Sequence, residues 1–270
     1  DIVIDYTSGT KAMSVGLVIA GLDKRVGSLV YVGGKRNKNG RVISGTERVL
    51  SLEPNQIYAE ALFVQAVNMF NSYQFDSCLE IANQASNLIA APSFQDKVLL
   101  LKNLARAYSF WDRFNLEASF SSLGKIADNG LLADWGIKSR IKEHKEVVYT
   151  ENEKLFCKER VADLLENARR RGDVEKKYDD AAARLYRLVE YIAQFEIAER
   201  GLYRLNGEGL PDPEDLDIDK LPLELKEKYS KHKDPKDNKV KLSLHQDYGL
   251  LSDLDSSLAK IFREECGPNA

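Results

Sequence analysis

Asp1-Ile2-Val3-Ile4-Asp5-Tyr6-Thr7-Ser8-Gly9-Thr10-Lys11-Ala12-Met13 opens the chain and decides how its first part folds. Ile2, Val3 and Ile4 form the short β-branched run of a strand buried on both faces of a parallel sheet. Small and polar residues from Asp5 to Thr10 end that strand. Lys11 to Ala20 then reads as an apolar helix interrupted only by Gly16, and Val26 to Val32 as the next strand. Strand, tight turn, helix and strand make a βαβ unit, and ligands of such sheets sit at the carboxyl ends of the strands. A two-stranded unit cannot bury its faces alone, and the chain begins without Met on an interior-type strand. The expectation is an interior fragment, with further strands of the sheet lying upstream.

The turn itself, Thr7-Ser8-Gly9-Thr10-Lys11, is the one constellation with chemical character. Gly9 permits a positive φ and a close approach of ligand to backbone, and free amides at the following helix start face the strand end. Thr7, Ser8 and Thr10 can donate to phosphate oxygens, and Lys11 supplies charge. The spacing is neither that of a Walker loop nor a GxGxxG fingerprint. On the residues alone two readings stand: a phosphate-bearing ligand site, or an ordinary turn with Ser and Thr capping a helix.

Outward from this stretch, Gly33 to Gly40 is a glycine-rich, basic loop. Arg41 to Ile43 and Glu47 to Leu50 read as short strands around Ser44-Gly45. Lys35, Arg36, Lys38 and Arg41 read first as a solvated turn and second as a polyanion contact. From Glu53-Pro54 onward the periodicity becomes helical, which sets the first domain boundary. Residues 57–71 carry Ala59, Leu62, Phe63, Ala66, Val67 and Phe70 at three-and-four spacing, and residues 75–90 carry Leu79, Ala82, Ala85 and Ile89. Helices over 95–111 and 114–127 repeat the plan, so two helical hairpins form a spacer whose aromatics, Tyr73, Phe110, Trp111 and Phe120 among them, read as core.

A second helical region opens at Glu151. Arg169-Arg170-Arg171 closes its first helix, where positive charge suits the helix dipole, with nucleic-acid contact as the lesser reading. The most regular helix, 178–195, has a stripe of Leu185, Leu188, Val189, Ile192 and Phe195. Arg184, Arg187, Glu190 and Gln194 lie beside it as either a surface ladder or a polar network at a cleft. Residues 207–219 and 226–241 read as long charged loops or a mobile lobe. Helical pattern resumes over 245–266.

Thirty-nine Lys and Arg against 42 Asp and Glu leave a net charge of −3, so nucleic acid would have to bind at a local cleft rather than through bulk electrostatics. Three cysteines without CxxC spacing give neither a disulfide framework nor a zinc site, and His144, His232 and His245 are scattered. Without a signal-like N-terminus or a membrane-length apolar run, the cytoplasm is the expected compartment.

Asp5-Tyr6-Thr7-Ser8-Gly9-Thr10-Lys11-Ala12-Met13 resembles the strand-end motif of the CRISPR-associated Rossmann-like sensor domain called CARF. Tyr178 to Arg187, Tyr31 to Gly34 and Asn39 to Glu47 resemble stretches of one branch of CARF–HEPN proteins, the Csm-six-like accessory ribonucleases of type III CRISPR systems. The resemblance implies an α/β plus all-α chain: a partial CARF sensor over 1–52, a helical spacer over 53–148 and a partial HEPN-like domain over 149–270. It implies a homodimer that binds cyclic oligoadenylate across paired sensors, with Thr7, Ser8, Gly9, Thr10 and Lys11 as the contacts, and no membrane partner.

The effector it implies is an antiviral endoribonuclease that cuts single-stranded RNA without metal or other cofactor. A HEPN Arg and a His with four to six residues between them would assist attack of the ribose 2′-hydroxyl on the adjacent phosphate. Arg140 and His144 are one residue too close and lie in the wrong region. The catalytic pair is therefore expected beyond Ala270, with the stretch in hand catalytically silent. The alternative is a non-catalytic sensor or scaffold whose helical region binds protein.

Overall fold

The computed structural model describes residues 2–24, 28–88 and 91–266. They divide into two compact units, one of residues 1–110 with 121–138, the other of residues 111–120 with 139–270.

In the first unit β1 (Val3–Asp5) runs into α1 (Lys11–Lys24), β2 (Ser28–Gly33) and β3 (Arg48–Leu52). The sheet order is β1-β2-β3, with β1 parallel to β2 and β3 antiparallel to it. The βαβ reading is thus present as mixed α/β structure; Val26 lies outside the described residues. Gly21 lets α1 lie close on the sheet, because a Cβ there would meet Leu29 Cδ2 at 2.6 Å and Ile4 Cδ1 at 3.0 Å. Burial of β1 on both faces is not found. Ile4 is half-buried toward α1, whereas Ile2 and Val3 are 58% and 64% exposed; among the described residues β1 pairs with β2 alone. Met13, Val15, Leu17 and Ile19 of α1 are exposed as well.

The β2–β3 connection is a long hairpin. The Asn37 side chain accepts from the Asn39 and Arg41 amides, and Arg36 pairs with Val42 in an isolated bridge. Of the two strands expected there, only the second forms, displaced to Arg48–Leu52.

Helices follow: α2 (Pro54–Asn71), α3 (Phe75–Ser86), α4 (Pro92–Asp112), α5 (Leu116–Ile126) and the short α6 (Leu131–Asp134). Ala59, Ala66, Ala82 and Ala85 are fully buried, so α2 and α3 approach through small side chains, and Phe94, Val98, Leu101 and Ala105 of α4 close the cluster. The periodicity placed these helices; α3 stops at Ser86, and Ile89 lies outside the described residues. Tyr73, expected in the core, is 41% exposed at the α2–α3 turn, with φ 60°.

The second unit contains the end of α4, the start of α5, then α7 (Lys138–Glu153), α8 (Lys158–Arg169), a π-helical turn at Arg170–Val174 and α9 (Tyr178–Glu199). A hairpin of β4 (Tyr203–Leu205) and β5 (Pro211–Leu216), a 3-10 turn at Ile218–Lys220, α10 (Leu223–Ser230), α11 (Leu244–Asp253) and α12 (Ser257–Cys266) complete it. The stretches read as loops are thereby corrected. Leu216 donates its amide to Val240, and Leu216, Leu221, Tyr229 and Val240 are buried in one core with Tyr248 and Leu251. The charges that suggested a mobile lobe lie outside this apolar framework in ion pairs such as Lys239–Asp212 and Lys226–Asp219, both 2.6 Å.

The burial of α9 is rotated from the expected stripe. Leu188 and Tyr191 are buried and Leu185 is 44% exposed, because α9 packs on α8 through one edge and on α11 through another. α11 begins with a Ser243–Gln246 capping box, and in its first turn the Asp247 carboxylate is buried, only 2% exposed.

Candidate functional site

The strand-end turn of the first unit is built by internal hydrogen bonds. The Thr7 amide donates to Asp5 Oδ1 at 2.8 Å, and Thr7 Oγ1 accepts from the Val32 amide at 2.7 Å, tying the end of β1 to β2. Hydrogen bonds from the Thr7 hydroxyl and amide hold the Asp5 carboxyl below its ordinary range. Thr10 Oγ1 accepts from the Met13 amide at 3.3 Å and caps α1. Gly9 has φ +112°, a conformation that a side chain would strain.

Thr7 is thus committed within the chain, while Ser8, Gly9, Thr10 and Lys11 are exposed at the carboxyl end of β1. The capping reading and an open backbone surface coexist here. Beside the turn, Tyr6 and Tyr31 stack with ring centroids 5.6 Å apart, and Arg36 reaches the Tyr31 hydroxyl at 3.3 Å. Sequence reasoning passed over this pair. Its signal is an aromatic just after Asp5 and another on β2, where parallel register sets Asp5 opposite Val30.

In the second unit, the arginines read as a helix cap turn inward instead. The π turn follows α8, and its wider winding brings Arg170 and Arg171 to the carboxylate of Asp112. Asn167 donates to the same carboxylate at 3.1 Å. Arg171 also pairs with Glu175 at 2.5 Å and Asp180 at 3.3 Å, and these partners outweigh its burial and raise its pKa. Asp163 accepts from Trp111 Nε1 at 3.0 Å; burial pushes its carboxyl up to about 6. Arg169 alone faces solvent, paired with Glu166.

Arg140 and His144 both lie on α7. His144 is half-buried edge-on against Trp111, with centroids 5.3 Å apart, and burial with the Arg140 charge holds its pKa below the ordinary value. His232 Nδ1 is 3.0 Å from Gln246 Nε2. Among the described residues no group of three His, Cys, Asp or Glu side chains is gathered to hold a metal ion, and no helix is long and apolar enough to cross a membrane.

A buried polar patch joins α7 to α8. Glu151, 1% exposed, has both carboxylate oxygens without a hydrogen-bond partner, and burial pushes it up to about 8. Arg160 Nε lies 3.8 Å from that carboxylate, and its guanidinium donates to the Glu151 carbonyl at 2.6 Å. Of the α9 polar set, Arg187 meets Glu190 at 2.6 Å and Gln194 at 3.3 Å, so the arginine rather than Glu190 contacts the glutamine.

No curated protein matches the chain. The family model described as the Csm6 HEPN domain matches residues 149–266, from the last turn of α7 through α12. The arginine-bearing α8, π turn and α9 thus belong, with the β4–β5 hairpin and α10–α12, to a CRISPR-associated Csm6 HEPN domain that this chain carries over residues 149–266.

Proposed function

We propose that the chain is the sensing and effector-proximal part of a type III CRISPR defence protein. Its N-terminal sheet is a Rossmann-like CARF element that binds cyclic oligoadenylate as a homodimer and controls a HEPN ribonuclease for single-stranded RNA. The observation that carries this reading is the exposed turn in which Ser8, Gly9, Thr10 and Lys11 follow a parallel strand, in the same chain as a HEPN domain. Gly9 leaves backbone amides approachable, Ser8 and Thr10 offer hydroxyls to phosphate or ribose, Lys11 offers charge, and Thr7 holds the turn in shape. In this assignment the three domains are 1–52, 53–148 and 149–270.

The experiment is calorimetric titration of the chain with cyclic tetraadenylate and cyclic hexaadenylate, alongside the double variant Gly9→Val with Lys11→Ala. Loss of at least about tenfold in affinity for one ring is expected, a magnitude matching one or two charge-assisted hydrogen bonds. Unchanged affinity in a variant whose circular dichroism matches the parent rejects the site.

A second reading, a scaffold that binds protein through its helical hairpins, is favoured by Val64 on α2 and Leu99 on α4, 59% and 53% exposed. Changing both Val64 and Leu99 to Lys abolishes partner capture under this reading and leaves nucleotide affinity untouched.

A further inference from the structure

α4 belongs to both units: it is one uninterrupted helix from Pro92 to Asp112, and the division of the chain falls between Phe110 and Trp111. No glycine, and no proline after Pro92, is present to kink it. In the first unit its Phe94, Val98, Leu101 and Ala105 lie in the core made with α2 and α3, and Ser109 Oγ donates to Asp76 of α3 at 3.3 Å. Beyond Phe110 the helix end is held by polar groups of the second unit. Trp111 Nε1 donates to Asp163 of α8 at 3.0 Å.

Asp112 is gripped from α8 and the π turn. Asn167 Nδ2 donates to its carbonyl as well as its carboxylate, both at 3.1 Å, and Arg170 and Arg171 reach the carboxylate. Through Glu175 and Asp180, Arg171 extends the cluster into the first turn of α9, so one set of ion pairs joins the end of α4 to the α8–α9 connection. The clasp also has elements that work against it. Asn167 Oδ1 and Arg171 Nε are buried without a hydrogen-bond partner, and Lys176 sits at φ 58° behind a π winding, a form found mostly at functional sites. Each stranded atom regains a hydrogen bond when it meets water. Ion pairs thus hold the clasp shut while stranded polar atoms and backbone winding favour release, the opposed terms of a two-state element.

We propose that Asp112 is a latch on the α8–α9 connection, and that a shift of α4 in the first-unit core opens or closes it. Because the helix is stiff, a change in how its apolar face seats on α2 and α3 reaches Asp112 as a displacement. Hydrogen bonds to the carboxylate weaken steeply once their geometry is lost. Arg171 is then released from Asp112, and the turn that it ties to Glu175 and Asp180 loosens with it. The latch rests on the sensing reading only for the identity of the signal that moves α4.

The test is hydrogen exchange on the whole chain at the Glu175 and Lys177 amides, which close the connection on the Arg170 and Arg171 carbonyls at 3.0 and 2.8 Å. The amide of buried Leu216, bonded to the Val240 carbonyl in the same unit, reports unfolding of that unit as a whole. Asp112→Asn is expected to speed exchange at Glu175 and Lys177 at least about tenfold with Leu216 unchanged. Val98→Ala, which opens a cavity beneath α4 in the first-unit core, is expected to speed the same two amides at least about threefold. Arg106 is exposed on α4 between the two sets of contacts. Arg106→Gly softens the helix there and abolishes the response to Val98→Ala, whereas Arg106→Ala preserves it. Unchanged rates in Asp112→Asn overturn the latch. So does a response to Val98→Ala that matches the one at Leu216, or that survives Arg106→Gly. Cyclic tetraadenylate and cyclic hexaadenylate are then added to the parent and to Asp112→Asn. A ring that changes exchange at Glu175 and Lys177 in the parent alone is the signal. Calorimetric binding without that change overturns the latch and leaves the sensing reading intact. Absence of binding rejects the sensing reading, and the Val98→Ala result still decides the latch.

Discussion

Replacing Asp247 by Asn should flatten the pH dependence of stability. Asp247 is 2% exposed, and burial, then the charge of Glu190, pushes its carboxyl up to about 8. Its pKa is therefore higher folded than unfolded, and the native state keeps a proton that the unfolded chain releases. Such a group adds stability that is fully present below the unfolded value of 3.8 and is lost as pH rises through about 8. Between those limits the unfolding free energy falls by about 1.4 kcal/mol per pH unit, on the order of 5 kcal/mol in all.

Glu151, also pushed up to about 8, contributes the same sign over much of the same interval, and Asp163, at about 6, over a shorter one. His144, held below its ordinary value, acts oppositely near pH 6.5, while Asp5, Glu175, Asp212, Asp219, Asp237 and Asp253, all lowered, act below the ordinary carboxylate range. Urea titrations followed by circular dichroism at about pH 5.5, 7 and 8.5 measure the slope. Asp247→Asn should reduce it by about 1.4 kcal/mol per unit and unfold later than the parent at the highest pH. An unchanged slope refutes the argument that this carboxyl is buried with its proton.

Two further outcomes follow from the hydrogen-bonded clusters. Arg171→Ala removes the guanidinium shared by Asp112, Glu175 and Asp180 but leaves Asp112 to Arg170 and Asn167 and Glu175 to Lys177, and should cost about 1–3 kcal/mol in the same urea titrations, with Arg171→Lys recovering part of the loss. Thr7→Val removes the hydroxyl that serves both Asp5 and the Val32 amide; the local cost is about 1–3 kcal/mol. Hydrogen exchange at Val32 should accelerate accordingly, and an unaltered rate there contradicts the clamp.

What could be read from the sequence was local. The β-branched run from Ile2 to Ile4, the glycine turn and the helical spacing that carries Ala59, Ala66, Ala82 and Ala85 are signals that neighbouring residues determine between themselves. What escaped depends on partners far along the chain. Arg170 and Arg171 look like a helix cap until Asp112, 58 and 59 positions away, is brought against them. The β4–β5 hairpin is masked by Pro211, Pro213 and their acidic neighbours, a composition that argues for a loop; pairing is confined to Tyr203 with Leu216 and Leu205 with Pro211. At the strand-end turn, glycine announced the open backbone. The duty of Thr7 became visible only with Val32 beside it.

The three-stranded sheet also governs how the isolated chain behaves at high concentration. Among the described residues, β1 and β3 each pair only with β2, so both outer strands present unmatched amides and carbonyls. Val3 on one side, and Val49 and Leu50 on the other, are 64%, 66% and 60% exposed. An apolar strand with a free hydrogen-bonding edge is a template for another strand, and natural sheets blunt such edges with charge or cover. Arg48, at the start of β3, is the charged residue within that strand. Solutions of this chain should therefore gain β-structure and turbidity with protein concentration, well before any helix melts.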